Sequence, residues 1–256
     1  MPRTLETISQ QTYANFELII VDDASTDTTW KVVAEYMEKD PRIRYFKNEQ
    51  NLKIARSLNY GLRQARGMYI ARADDDDPWI DIQKLEKQIA FLEKNSDYAL
   101  VGTGAIVIDE SGKELFRYLQ PETDSDIRKK ILFINPFTHP SVVFRKSIIE
   151  KTGLYDENAL DVEDWDLWLR IGRQGKFHNL PIYGVNRFYG ERGISIKNKK
   201  SMAKSRLLLT KKYKNQYPGF FFAYLFNLLQ RVYSLSPHQH TLHNILLRLK
   251  RTTFGK

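Results

Sequence analysis

The chain has 256 residues, 42% of them hydrophobic, and no cysteine, so it can bury a full core but holds no disulfide or thiolate metal site, and a reducing compartment is the simplest home. Its net charge of +9 is unevenly spread: residues 197–256 carry 13 Lys and Arg with no Asp or Glu, which leaves −4 on the remainder. A basic tail beside an acidic body calls for an anionic surface as partner.

Residues 1–10 include Arg3 and Glu6 and lack the apolar stretch of a signal peptide. Leu5 and Ile8 there stand at helical spacing. Phe16 to Val21 reads as a buried strand that runs into Asp22-Asp23. Ser25-Thr26-Asp27-Thr28 supplies helix caps, and Trp30, Val33 and Met37 give the next helix its inner stripe as far as Asp40-Pro41. Ile43 to Phe46 is a further short strand. Ile54, Leu58, Leu62 and Ala65 then line a helix that stops at Gly67.

Met68 to Arg72 forms the next strand and ends in Ala73-Asp74-Asp75-Asp76-Asp77-Pro78, where the proline bars further ladder bonding. Four adjacent carboxylates repel by roughly 1 kcal/mol per close pair in water and by more when partly buried, so an ordered cluster needs a compensating cation. Magnesium or manganese suits oxygen ligands and commonly shares them with substrate phosphates, which makes a nucleotide diphosphate the natural third party. Helix capping by Asp77 or Asp81 is the alternative use. The strand-helix alternation predicts a mostly parallel sheet covered on both faces, which binds ligands beyond the carboxyl ends of its strands. Both acidic pairs, Asp22-Asp23 and the Asp74 cluster, fall on that rim.

Ile82, Leu85, Ile89 and Leu92 mark another helix, and Tyr98 to Ile108 a strand. Its Gly102-Thr103-Gly104 lacks the third glycine and the following helix of a dinucleotide fingerprint, so close strand packing is its expected use. A turn at Glu110-Ser111-Gly112 leads into an antiparallel strand over Glu114 to Leu119, and Ile127, Ile131 and Ile134 mark a short helix. His139, between Pro136 and Pro140, enters a strand where it meets phosphate or sugar, or else serves the core. In Asp161 to Arg170 the residues Leu167, Trp168 and Ile171 bury a helix whose first turn holds Glu163 and Asp164. A carboxylate held there can act as general base with an aromatic nearby to stack on a sugar, or can merely complement the helix dipole.

In the tail, residues 198–216 are basic and helical, Pro218-Gly219 breaks the helix, and an apolar run from Phe220 to Leu229 follows that is half the length of a membrane span. Leu242, Ile245, Leu246 and Leu249 form a last amphipathic helix beside Arg248, Lys250 and Arg251. Apolar faces flanked by cations suit an anionic bilayer surface or pack on the body. No nucleic-acid-binding module accompanies the charge, and His238, His240 and His243 read as a solvated loop.

Together these stretches resemble the family-2 inverting glycosyltransferases with the GT-A fold. The resemblance runs from about Leu5 to Ser195, through Gln11-Thr12-Tyr13, Phe16 to Asp27, Tyr69 to Asp77, His139-Pro140-Ser141-Val142 and Glu163 to Arg170. It implies a nucleotide-diphospho-sugar transferase-like α/β domain over 1–196, a mostly parallel sheet sandwiched by helices, and the charge pattern sets a basic helical C-terminal tail over 197–256 after it. It implies that Asp23 contacts the nucleotide base, that Asp74, Asp75 and Asp76 bind the donor, and that Asp74 and Asp76 fill the DxD positions with Mn or Mg on Asp76. Asp164 is the implied catalytic base, with Glu163, Trp165 and His139 on the acceptor side.

Three departures stand out. Members of the family normally begin with a strand and a Pro-Thr-Tyr-Asn-like loop, whereas this sequence opens in the first helix. The absent strand would be central, and its neighbours are expected to carry unpaired backbone groups. The loop usually reading Asn-x-Gly is Asn51-Leu52-Lys53, and the usual Arg-x-His is Arg187-Phe188-Tyr189. The expected activity is transfer of a sugar from a nucleotide-sugar donor to a glycan or lipid-linked acceptor in envelope polysaccharide synthesis, in the cytoplasm at the inner face of the plasma membrane. A non-catalytic membrane-associated module that has lost its donor pocket is the competing expectation, and a nucleotidyltransferase the weaker third.

Overall fold

The computed structural model describes residues 1–159, 161–189 and 198–235. Its elements are Pro2–Ser9 (α1), Leu18–Asp22 (β1), Thr29–Lys39 (α2), Ile43–Lys47 (β2), Ile54–Gln64 (α3), Tyr69–Ala71 (β3), Lys84–Lys94 (α4) and Tyr98–Ile108 (β4). Glu114–Tyr118 (β5), Asp124–Lys130 (α5), Val143–Arg145 (β6), Lys146–Thr152 (α6), Glu163–Ile171 (α7), Lys176–Phe188 (β7), Lys199–Lys212 (α8) and Phe220–Leu235 (α9) follow. The expected last helix and the three tail histidines lie outside the described residues.

Strand direction departs from the expected mostly parallel pattern. Pairing is parallel in β1–β2 and β4–β7, and antiparallel in β3–β6, β4–β6 and β4–β5. The tight turn at Gly112, with φ 83°, forces β5 back along β4. β6 lies reversed between β3 and β4, so β3, β4 and β7 still run one way.

Among the described residues β1 pairs only with β2, and β3 only with β6, so two sheets result. The free edges of β1 and β3 both border one large cavity, and the side chains of Leu18, Ile19, Ile20 and Val21 are only half-buried.

Alternation along β4 divides the core. Leu100 packs with Phe144, Trp168 and Phe177 on one face, while Val101 and Ala105 pack with Ile8, Trp79 and Leu92 on the other. Gly102 and Gly104 serve close packing as expected, because a Cβ at either would collide with Asn179 or the Tyr118 carbonyl. The helix stripes are partly as read, with four exceptions: Ile54 at the start of α3 and Ile134 beyond α5 are exposed, as are Trp30 and Ile82. Trp30 is 48% exposed, its ring 4.8 Å from that of Tyr45, and Ile82 lies exposed before α4 begins.

The basic segment packs on the body through one face. Leu209, Tyr213, Tyr217 and Ala223 join the core cluster of α7, and Asn227 Nδ2 donates to the Leu132 carbonyl at 3.0 Å. Asp166, fully buried, accepts hydrogen bonds from Arg170 Nε, Lys212 Nζ and Tyr213 Oη, each at 2.8 Å, and so bolts α8 to α7. No helix among the described residues is long and apolar enough to cross a membrane.

Candidate active site

A cavity of 2670 Å³ opens where the sheets end, and Asp23, Asp74, Asp75, Asp76, His139, Glu163, Asp164 and Trp165 all line it. Residues more than 140 positions apart therefore line one cavity. The volume exceeds that of an ordinary ligand pocket because the gap between β1 and β3 is continuous with it.

On the β1 rim, Asp23 organises the loop that departs from Asn-x-Gly. Its Oδ1 accepts from Leu52 N at 2.8 Å and Asn48 Nδ2 at 2.9 Å, and its Oδ2 from Lys53 N at 2.9 Å. Burial opposes the charged form, but these donors outweigh it, the Leu52 N–H first, and hold the carboxyl below its ordinary value. Lys53 adopts φ 68° and ψ 168°, a region populated almost only by glycine. The loop thus keeps a glycine-like backbone without the glycine, at a cost of about 1–3 kcal/mol. Lys53→Gly is expected to raise the thermal midpoint accordingly, and a melting curve no higher than that of the parent would show that the strain is relieved elsewhere.

The four aspartates after β3 are partly compensated by the chain itself. Arg72 pairs with Asp74 Oδ1, and Arg187 Nε lies 3.8 Å from Asp77 Oδ2. Burial works against the ionised form of Asp74, yet Arg72 in first place keeps its carboxyl below the usual range. Asp77 differs: burial, then the charge on Asp74, pushes it up to about 7, and its Oδ1 accepts from Phe188 N at 3.2 Å, so it also ties the cluster to β7. Asp76 has no cationic side chain within ion-pair distance among the described residues, and burial followed by the charges of Asp75 and Asp74 raises its carboxyl. No three His, Asp or Glu side chains among the described residues form a ready-made metal cage. The donor set instead fits a hard divalent ion held by one or two carboxylates with substrate phosphates completing the shell, Asp75 and Asp76 being the oxygen donors without an ion pair among the described residues.

At the other end of the cavity, α7 presents Glu163 and Asp164 in its first turn. Asp164 Oδ2 accepts from Asn135 Nδ2 at 2.7 Å and Oδ1 from Trp165 N at 2.7 Å, which fixes its orientation. Glu163 is pushed up to about 7 by burial and then by the charge on Asp164. A spacing of two residues turns Asp166 away from Asp164 on the helix, towards α8. Trp165 is 3% exposed, with its indole N–H donating to the Ile131 carbonyl at 2.7 Å. Its ring is chiefly packing and leaves little face for a sugar to stack on.

His139 sits in a 3₁₀ turn, His139–Ser141, and not in a strand, because Pro140 cannot extend a ladder; the strand starts only at Val143. One ring nitrogen, Nε2, lies 2.9 Å from Tyr155 Oη, and burial, then the nearby Arg72, pushes the imidazole down to about 4, so it is neutral at pH 7. Four residues not singled out by sequence patterns belong to the same wall: Arg72, Asn135, Tyr155 and Arg206. Arg72, two residues before Asp74, is the one whose position in the acidic stretch gave a signal.

Comparison with known proteins bears on the family and the fold. The model of the family described as "Glycosyl transferase family 2" matches residues 1–153. The chain is 39% identical over 178 residues to the putative glycosyltransferase EpsE of Bacillus subtilis, a match covering 68% of this chain and 63% of that protein. It thus spans less than two thirds of that relative. Identity to the amylovoran biosynthesis glycosyltransferase AmsE of Erwinia amylovora is 35% over 182 residues, covering 71% of this chain and 67% of the other.

Among solved structures, S. aureus TarS in complex with UDP is similar with a TM-score of 0.67 at 18% identity, over 93% of this chain and 69% of that one. Mannosyltransferase PcManGT from Pyrobaculum calidifontis, in complex with GDP-Man and Mn2+, is similar with a TM-score of 0.66 at 18% identity, over 96% and 75%. At that identity the likeness speaks for the fold alone, which is GT-A. Sequence family, fold and the convergence of the acidic rims on one cavity lead to one assignment: the chain belongs to glycosyl transferase family 2.

Proposed function

We propose that this protein transfers a sugar from a nucleotide-diphosphate sugar to an acceptor hydroxyl with inversion, in the synthesis of a cell-envelope polysaccharide. The observation that carries this reading is the meeting of Asp23, the Asp74–Asp76 cluster and the first turn of α7 around one cavity. Asp23 and the loop it braces face the nucleotide base. Asp164 Oδ2 or Oδ1 takes the proton of the acceptor hydroxyl as its oxygen attacks the anomeric carbon, and the bond from that carbon to the nucleoside diphosphate breaks on the opposite face. Asp76 and Asp74 would hold a divalent ion, which would supply neutralisation of the departing diphosphate. Arg72 and Arg187 hold the aspartates in place, and neutral His139 with Tyr155 lines the acceptor side with Glu163.

A panel of nucleotide sugars, scored by nucleoside diphosphate release from the purified protein with Mn2+, tests this. Release with one donor supports transfer, release of pyrophosphate indicates a nucleotidyltransferase, and no product with any donor favours the non-catalytic module.

The segment 197–256 is assigned to an anionic membrane surface. In α9 the usual burial is inverted: Ala223 and Asn227 face the core, while Phe222, Leu225, Leu229 and Val232, at intervals of three and four, are exposed, and Phe221 is 70% exposed. Eight Lys and Arg and no acid occupy residues 198–235. The protein should float with phosphatidylglycerol vesicles and not with neutral phosphatidylcholine ones, and Phe222→Asp with Leu229→Asp should weaken flotation at least about tenfold. Equal flotation of that double variant would remove α9 from the contact. The acceptor is accordingly taken as a glycan on a lipid carrier, and the protein as cytoplasmic and peripheral.

A further inference from the structure

Among the described residues the Asp164 carboxylate accepts one hydrogen bond from a side chain, that of Asn135 Nδ2 to Oδ2 at 2.7 Å. The other comes from the Trp165 N–H of its own helix. Asn135 belongs to the loop between α5 and the 3₁₀ turn and lines the cavity. Its amide has one workable orientation, because Oδ1 accepts from Phe137 N at 3.2 Å across Pro136, which closes a small turn. Rotating the amide by half a turn would set an oxygen against the carboxylate and an N–H against an N–H. The donor is therefore aimed before any ligand arrives.

What holds Asn135 is a stiff segment. Pro136 and Pro140 fix φ at two places, and the Pro136 carbonyl accepts from Asn179 Nδ2 at 3.1 Å. Phe137 is 3% exposed, with its ring centre 5.2 Å from that of Phe177 and 6.1 Å from that of Trp168. The Thr138 carbonyl accepts from both Ser141 N and Ser141 Oγ, each at 2.8 Å. At the far end the Pro140 carbonyl accepts from Trp79 Nε1 at 3.1 Å, and Trp79 follows the aspartate cluster by two residues. One segment thus runs from behind the donor's aspartates to the carboxylate of α7.

We propose that Asn135 is a positioning residue for the transfer: it aims Asp164 and, through the segment it opens, keeps that carboxylate in register with the aspartate rim. This rests on the reading of Asp164 as the acceptor's base, and it adds the group that sets the base's geometry. A base displaced by about 1 Å loses on the order of 10² in rate, so the contribution belongs in turnover and not in donor binding.

The test is nucleoside diphosphate release with the donor found by the panel above, measured for the parent, Asn135→Asp, Asn135→Ser and Asp164→Asn, with melting curves for each. Asn135→Asp keeps the size and the oxygen that accepts from Phe137 N, and replaces only the donor to Asp164 by a second carboxylate oxygen. A side chain that serves the turn alone would not register the change. Turnover of Asn135→Asp should fall about 10- to 100-fold with the KM for donor within about twofold of the parent. Asn135→Ser, which restores a donor and still suits the turn, should recover part of the loss. The proposal is overturned if Asn135→Asp turns over like the parent, if its KM rises as far as its turnover falls, if Asn135→Ser loses as much as Asn135→Asp, or if the losses follow a lowered melting midpoint. Should Asp164→Asn keep the parent's turnover, or no donor be consumed at all, the base reading itself fails and Asn135 with it. An inactive Asp164→Asn beside a fully active Asn135→Asp removes Asn135 alone.

Discussion

Asp164→Asn is expected to lower turnover by about 10²- to 10⁴-fold while leaving the dissociation constant for the donor nearly unchanged. The carboxylate is held by Asn135 Nδ2 and by the Trp165 N–H, each at 2.7 Å, so an isosteric amide fills the same place and removes chiefly the ability to accept a proton. Glu163 is a poor replacement. It is 8% exposed, and burial together with the charge on Asp164 pushes its carboxyl up to about 7, so part of the population is protonated at neutral pH. Steady-state turnover set beside calorimetric donor binding separates the roles. Unchanged turnover would remove Asp164 from the base position, and a parallel loss of donor affinity would move it to the donor side.

Asp76→Asn should act on the other half of the reaction and abolish the Mn2+-dependent part of donor binding. Of the neighbouring aspartates, Asp74 is engaged by Arg72 and Asp77 approaches Arg187. Among the described residues Asp75 and Asp76 are both left without a cationic side chain within ion-pair distance, which is the electrostatic condition for an exogenous divalent ion. Titration of UDP and GDP with and without Mn2+ reads the effect directly. The parent protein should bind at least about tenfold more tightly with the ion, and Asp76→Asn equally in both conditions. If the parent itself binds equally well with and without Mn2+, the metal assignment of Asp76 and Asp74 falls.

Much of the organisation could be read from the sequence because each motif had a local cause. A strand run ending in aspartates or a first turn rich in acid needs only neighbouring residues to be recognised. What escaped depended on contacts between distant segments. β7, Lys176–Phe188, carries Pro181 and Gly184 and alternates poorly, yet it pairs along the whole of β4; the register shifts between Thr103 and Gly104, leaving Pro181 and Ile182 without β4 partners, and this is how a proline is tolerated there. The pairing of Arg72 with Asp74 could be guessed from proximity, but that of Arg187 with Asp77 spans the fold.

Lys84 is a further case. It lies fully buried with its Nζ 3.9 Å from the centre of the Trp79 ring, and burial pushes it down to about 7, which no periodicity of α4 reveals. Asp166 in the same motif as Asp164 looks equally chemical in sequence, and only the arrival of Lys212 and Tyr213 shows it to be an anchor.

The free edges of β1 and β3 give the molecule a chemical asymmetry that reaches beyond catalysis. Among the described residues alternate amides of β1 point away from β2 into the aspartate-lined cavity, so in this chain they should trade deuterium quickly while their inward neighbours stay protected.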